Sequence, residues 1–289
     1  ILENLNLSVP NTWNDVIDML PVLERFGMQF YIPLSSSSSS KSYDSTAPFI
    51  WQFNGDLYNL DTLTSGVDNE NTIQALQFMT DLYREYSLPY QVSSFFNYFR
   101  YSSMPIGIAD YGTYLQLLNA ATEISGLWGI SVVPGIEIDG QVNRYMSGAQ
   151  QASMIFNKTD KKNEAWEFVK WWSSKEAQLT YSQKMINTYG KKYLWNTANM
   201  DAFKELSWDT HDKKVILEQW SYLKEVAKIP GSYIIEREIS NIYNQVVFQD
   251  KNLRSTVSDS VIKMNKEIRR KMIEFGYMDE YGNKIRQYN

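Results

Sequence analysis

The chain has 289 residues, of which 43% are apolar and 21% charged, with 28 Lys and Arg against 33 Asp and Glu for a formal net charge of -5. That length leaves room for roughly two domains, and the composition excludes global disorder and a cationic nucleic-acid surface. The absence of Cys and the single His remove thiol nucleophiles, disulfides, Cys-ligated zinc and most His-based metal sites. No run of about 18 apolar residues is present, so no segment reads as a membrane-spanning helix. The aromatic content, 20 Tyr, 13 Phe and 9 Trp, exceeds what a core requires and points to surfaces that stack on flat, partly apolar ligands such as sugar rings.

The first strong element is a helix opening at Thr12, a residue suited to accept from the first-turn N–H groups, with Asn14 and Asp15 in that turn. Val16, Ile17, Leu20, Leu23 and Phe26 recur at helical spacing, Pro21 predicts a kink or a split, and Gly27 a stop. Gln29–Leu34 reads as a short apolar strand. The six serines Ser35–Ser40, continuing into Lys41–Asp44, predict a mobile surface loop. Pro48–Phe53 is apolar and runs into the turn signal Asn54-Gly55.

Asp68–Tyr86 predicts a helix capped by Asp68 or Asn69, with Ile73, Leu76, Met79, Tyr83 and Tyr86 as its apolar stripe. Met104–Ala109 and Trp128–Val133 read as strands, separated by a helix beginning near Thr113; a further strand falls between Gly148 and Met154-Ile155. Asn163–Trp172 predicts a helix with Ala165, Phe168, Val169 and Trp172 on one face, and Lys175–Met185 another. From His211 the chain is mostly helical: Lys213–Lys228, Arg237–Phe248 and Thr256–Phe275. Short strands interleaved with helices predict α/β layering.

Enzyme motifs are absent: no Gly-x-Ser-x-Gly, no phosphate-binding Gly-rich loop and no His-Glu-x-x-His. His211 sits in a polar stretch and reads as a solvated residue. Among 33 carboxylates some pair at the spacing of a glycoside hydrolase is unavoidable, so that pattern carries little weight.

The order of segments resembles family 1 extracellular solute-binding proteins, the maltose-binding-protein-like sugar-capturing subunits of bacterial ABC importers. Pro10-Asn11-Thr12-Trp13 is similar to the family's Pro-x-Thr-Trp-Asp/Glu signature, with Asn14 in place of the acidic residue. Asn54-Gly55-Asp56, Gly66–Asn69, Met104–Tyr111, Trp128–Gly135, Ser147–Asn157 and Asn163–Gln178 resemble successive family segments. Ile229-Pro230-Gly231 and Arg254–Val257 resemble its closing part. The resemblance runs over residues 8 to 275 and implies a class II periplasmic-binding-protein-like α/β fold of two lobes. It assigns Ser8–Met146 and His211–Asn289 to the C-terminal lobe and Ser147–Thr210 to a segment crossing back into the N-terminal lobe. Ile1–Leu7 carries no signal-peptide pattern. Compared with the family, about a hundred residues of N-terminal lobe, a signal peptide and a lipidated Cys are missing from this chain. The resemblance therefore implies a largely complete C-terminal lobe with part of its partner.

The implied function is capture of a carbohydrate, an oligosaccharide in particular, in a cleft between lobes for import through ABC permease subunits, without catalysis, cofactor, metal or nucleic acid. The implied setting is extracellular or periplasmic, with membrane attachment only through a lipid anchor. A carboxylate-dependent glycoside hydrolase and a sugar-binding module of a larger enzyme remain the alternatives. The candidate ligand contacts are Tyr111 and Tyr114 beside a strand end, Tyr43 beyond the serine run, and Trp51. To these are added Tyr233, Glu236, Arg237 and Asn241 at a helix start, and Gln150 after the crossing glycine. Aromatic faces would stack on ring faces while planar polar groups exchange hydrogen bonds with hydroxyls. Trp128, Trp166, Trp171 and Trp172, at helical spacing or in a strand, read as packing residues.

Overall fold

Thr12 does what its position predicts. In the computed structural model, which describes residues 1–36, 40–148 and 151–287, its hydroxyl accepts from the Asp15 N–H while the Asp15 carboxylate accepts from the Thr12 N–H. This reciprocal cap opens α1 (Trp13–Arg25). The helix runs through Pro21 without splitting, because Pro21 lies on the exposed side, where the carbonyl it leaves unpaired can take water.

A two-residue strand, β1 (Phe30–Tyr31), leads to the serine run and α2 (Tyr43–Gln52). A small hairpin, β2 (Tyr58–Asn59) and β3 (Thr64–Ser65), precedes α3 (Glu70–Arg84), which Asn69 caps by accepting from Thr72 N–H. After α4 (Phe95–Arg100), β4 (Ile106–Gly107) pairs in parallel with β1, Phe30 opposite Ile106 and Tyr31 opposite Gly107. Gly107 is required there: a Cβ would lie 2.6 Å from the Cβ of Tyr31.

The chain then forms α5 (Tyr111–Ala120), an antiparallel hairpin of β5 (Ile136–Ile138) and β6 (Gln141–Asn143), and β7 (Met146–Ser147). Next come α6 (Lys162–Trp172), α7 (Lys175–Tyr189), α8 (Met200–Glu205) and α9 (Thr210–Trp220). Finally β8 (Leu223–Lys224) pairs in parallel with β7 and is followed by α10 (Tyr233–Gln249) and α11 (Leu253–Glu274). Among the described residues every sheet has two strands.

Two compact units emerge. Unit 1 comprises Ile1–Ala109, Val132–Gly148 and Gln219–Asn289; unit 2 comprises Asp110–Ser131 and Ala149–Glu218. Unit 1 holds a continuous apolar core built from α1, α2, α3, α10 and α11, with Val16, Ile50, Leu76, Ile242 and Met264 all fully buried. At about 25 cal/mol per Å² of apolar area removed from water, this burial is the main stabilising term. Unit 2 is held by a smaller set, notably Phe203, Leu206 and Trp208, and by edge contacts of Trp172, Tyr181 and Trp195.

Several local expectations change. Within the serine run Ser36 and Ser40 are exposed and Ser37–Ser39 lie outside the described residues, but its ends are anchored: Ser35 is buried with Oγ 3.1 Å from Tyr83 Oη, and the buried Lys41 that follows donates its N–H to Ser240 Oγ at 3.0 Å. Those partners lie 48 and 199 positions away, beyond the reach of any local pattern. No strand forms at Trp128–Val133 or at Met154-Ile155; the nearest strands are β5 and β7. The helix expected to reach Lys228 stops at Trp220, because the chain turns to pair β8 with β7. Trp166 and Trp171 are more than half exposed, not packed, because α6 has no buried residue at all.

Candidate functional site

In parallel α/β architectures the strand ends at the carboxyl side leave a crevice where ligands settle. Unit 1 places a shallow depression there. Ile32 and Pro33 follow β1, Ile108 follows β4, and Met146 of β7 closes one side. The first turn of α2 supplies Asp44 and Ser45 at the rim, and Trp13, Phe49 and Gln52 lie beneath. That floor is tied down. Trp13 Nε1 donates to Gln52 Oε1 at 2.8 Å, and Gln52 Nε2 donates to the carbonyls of Tyr145 (3.1 Å) and Pro134 (3.4 Å). Trp13 and Phe49 rings meet at 5.2 Å.

The position of α2 depends on α10. Ser42 makes no side-chain cap, so the first N–H groups of α2 need another acceptor. Glu236 provides it: its Oε1 accepts from Tyr43 N–H at 3.0 Å, setting a negative charge at the helix's positive end. The Tyr43 hydroxyl donates to the Ser232 carbonyl at 2.6 Å and lies 2.8 Å from Tyr58 Oη. Burial and the neighbouring Tyr58 raise the Tyr43 pKa, so the phenol stays protonated and continues to donate.

Of the residues singled out from sequence, Tyr43 and Glu236 thus come together and act on α2. Tyr43 and Trp51 are only 6% and 7% exposed; neither offers an open ring face. Tyr233 is half-exposed and donates to Glu267 of α11. Arg237 is exposed, with Nε 3.5 Å from Glu238 Oε1, and Asn241 Nδ2 donates to the same oxygen at 3.1 Å. Glu238 itself is a nearly buried carboxylate of α10, with Lys263 of α11 3.7 Å away. Gln150 lies outside the described residues.

In unit 2, Asp110 caps α5, and Tyr111 and Tyr114 of its first turn both contact Trp208. Tyr114 stacks on Trp208 at 5.3 Å and meets Trp128 edge-on at 5.5 Å; Tyr111 tilts against Trp208 at 5.8 Å. Tyr111 donates to the Leu194 carbonyl and Tyr114 to Asp212 Oδ2 at 2.7 Å. Burial pushes Tyr111 up to about 12; burial, with the Asp212 carboxylate beside it, raises Tyr114 also. Both phenols are therefore neutral donors, and both are half-buried. His211 Nε2 lies 3.1 Å from the Ile130 carbonyl. Asp44 and Ser45 were not singled out from sequence, since short polar residues after a serine run look like any loop.

Parallel strand pairs flanked by helices fit an α/β fold of the class II periplasmic-binding-protein-like type, and comparison with known structures agrees on that fold. A solute-binding protein of an ABC transporter from Thermotoga lettingae, bound to alpha-D-tagatose, matches with a TM-score of 0.65 at 18% identity. The match covers 92% of this chain and 68% of that one. The sugar-binding protein MalE of Xanthomonas citri matches at 0.69 and 16% identity, covering 93% and 66%. The maltose-binding MalE of Listeria monocytogenes, in complex with maltose, matches at 0.70 and 13% identity, covering 91% and 68%. The chain thus spans about two thirds of the length of these structures. No curated protein matches it by sequence. The family profile of bacterial extracellular solute-binding proteins matches residues 1–179, and the chain belongs to that family. Among the described residues no helix is long and apolar enough to cross a membrane.

Proposed function

We propose that the chain captures a carbohydrate, an oligosaccharide in particular, for delivery to the permease subunits of an ABC importer, and that it binds the sugar without transforming it. The observation that carries this reading is the crevice at the carboxyl ends of β1 and β4, in a chain of the solute-binding family. Three neighbours that are sugar-binding or sugar-bound proteins support the carbohydrate class. The setting that goes with it is outside the cytoplasmic membrane, with a lipid anchor as the attachment.

Within unit 1 the rim groups Asp44 and Ser45 would exchange hydrogen bonds with sugar hydroxyls, joined by Arg237, Tyr233 and Asn241 along α10. Glu236 and Tyr43 act indirectly, by fixing the first turn of α2. Within unit 2, Tyr111 and Tyr114 are the stacking candidates, each with its hydroxyl already held. The lobe assignment in this reading keeps residues 8–146 and 211–289 in one lobe and 147–210 in the crossing segment. The break between Gly148 and Ala149 supports it, although residues 110–131 group with unit 2.

The test is a thermal-shift screen of the chain, and of the chain with its flanking coding residues, against malto-, xylo-, manno- and galacto-oligosaccharides. A ligand bound only to the folded state raises the melting temperature by mass action. A shift with one sugar class in the longer chain, with weak or no shift in the 289-residue chain, is expected. Folded chains that respond to none of the four contradict the carbohydrate reading.

A further inference from the structure

The outward side of α11 carries charge that the rest of unit 1 does not use. Residues 262–286 hold seven Lys and Arg against four Asp and Glu, in a chain whose net charge is -5. Three of these cations are engaged by neighbours. Lys263 lies 3.7 Å from Glu238 Oε2, Arg270 meets Glu267 at 2.7 Å and Lys271 meets Glu274 at 2.8 Å. The other four, Lys266, Arg269, Lys284 and Arg286, are exposed and take part in no ion pair among the described residues.

The fold gathers those four together. Ile262, Lys266 and Arg269 recur at i, i+4 and i+7, on the side of α11 opposite the buried Met264 and Ile268. Past the helix the chain doubles back in a hairpin bridged at Met278 and Lys284. Asp279 closes it by accepting from the Asn283 N–H at 2.7 Å and from Nδ2 at 2.8 Å. The hairpin lies beside the outward face of α11: Arg269 donates to the Glu280 carbonyl at 3.1 Å, and Arg286 sits 4.8 Å from the Tyr277 ring centre. Large apolar side chains stand out among these cations. Tyr281 near the hairpin tip is 88% exposed, Ile262 66% and Ile285 63%. Cations interleaved with exposed apolar groups are the make-up of a membrane-surface contact: charge meets headgroup phosphates, aliphatic groups enter the acyl boundary, and Tyr suits the level between.

We propose that this face of unit 1 docks on an anionic lipid bilayer, with Lys266, Arg269, Lys284 and Arg286 against headgroup phosphates and Tyr281, Ile285 and Ile262 entering the interface. A dissolved polyanion or an acidic protein would satisfy the cations alone; the exposed Tyr and Ile favour a surface with an apolar layer beneath its charge. The carboxylates of Asp259 and Glu280 oppose the contact, and the four cations outnumber them. A contact of this kind is weak and reversible, so it would orient unit 1 at a membrane without anchoring the chain.

The experiment is co-sedimentation of the 289-residue chain with vesicles of phosphatidylglycerol and phosphatidylcholine in equal parts, and with vesicles of phosphatidylcholine alone, at low and at high salt. Binding to the anionic vesicles only, and loss of it at high salt, are expected. Lys266→Gln with Lys284→Gln should weaken binding about 25-fold, at about fivefold for each cation removed. Lys158→Gln with Lys214→Gln, which takes the same charge from unit 2, should leave it unchanged. Tyr281→Ser should weaken it without altering its salt dependence. No preference for anionic vesicles overturns the proposal. So does an equal loss in the two double variants, which would make net charge the cause. Tyr281→Ser binding as tightly as the native chain also overturns it, since charge alone would then account for the attraction.

Discussion

The two units differ in how far their helices are closed over. In unit 1, α3, α10 and α11 carry apolar stripes that meet one another, and residues such as Leu76, Ile239 and Met264 have no solvent exposure. In unit 2, α6 carries an equally regular stripe, yet its Phe168 stays 61% exposed and none of its residues is buried. Periodicity therefore tells which side of a helix is meant to be covered, and only the tertiary contacts tell whether it is covered. The contrast also places the candidate site. The crevice of unit 1 rests on a rigid floor, Trp13, Phe49 and Gln52, whereas the tyrosines of unit 2 stand on a unit held by few buried side chains.

The contrast breaks most readily in the cores. Replacing Ile242 or Leu76 of unit 1 by Ala should cost about 2–5 kcal/mol, by lost burial plus a cavity. The same truncation of Phe168 in unit 2 should cost well under about 1 kcal/mol; urea unfolding of each variant measures both. Equal losses would erase the distinction. Next in size is Gln52→Leu, which removes the acceptor of Trp13 Nε1 and the donor to two buried-side carbonyls. A destabilisation of about 2 kcal/mol is expected, together with weaker ligand response if the floor shapes the crevice. Thr12→Ala, which opens the cap of α1, should cost about 1 kcal/mol by the same measurement.

The smallest effect is a slope with pH. Lys41 is buried, donates to the Leu34 carbonyl and lies 4.7 Å from the Tyr243 ring centre. Burial lowers its pKa from 10.5 to about 8. Between those two values the unfolded chain binds more protons than the folded one, so stability rises with pH across that window. The slope should be a fraction of the roughly 1.4 kcal/mol per pH unit that one proton allows. In Lys41→Met, which carries no titrating amine there, this contribution should vanish; a wild-type and variant pair with parallel stability profiles from pH 7 to 10.5 would count against it.

Much of unit 1 was legible before any coordinates. Caps at Thr12 and Asn69, the apolar stripes of α1 and α3 and the helical spans of α10 and α11 are local signals, and the structure places helices at all of them. Strands fared less well, because two- or three-residue ladders such as β1 with β4 leave almost no alternation to read. The burial of Ser35 and Lys41 at the two ends of the serine run was invisible, since it depends on Tyr83 and Ser240 far along the chain. The candidate site was legible as a region more than as residues. Glu236 stood out at a helix start, but its bond to the first N–H of α2, and with it the presentation of Asp44 and Ser45, depends on a contact 193 positions away. Tyr111 and Tyr114 were marked by their place after β4, while the Trp208 that both contact was not.

The most direct test of the contrast is site-resolved hydrogen exchange of the 289-residue chain under native conditions. If unit 1 is closed and unit 2 open, core amides of α3 and α10 exchange only through global unfolding, and those of α6 exchange orders of magnitude faster through local opening. Protection of α6 equal to that of α10 would contradict the account.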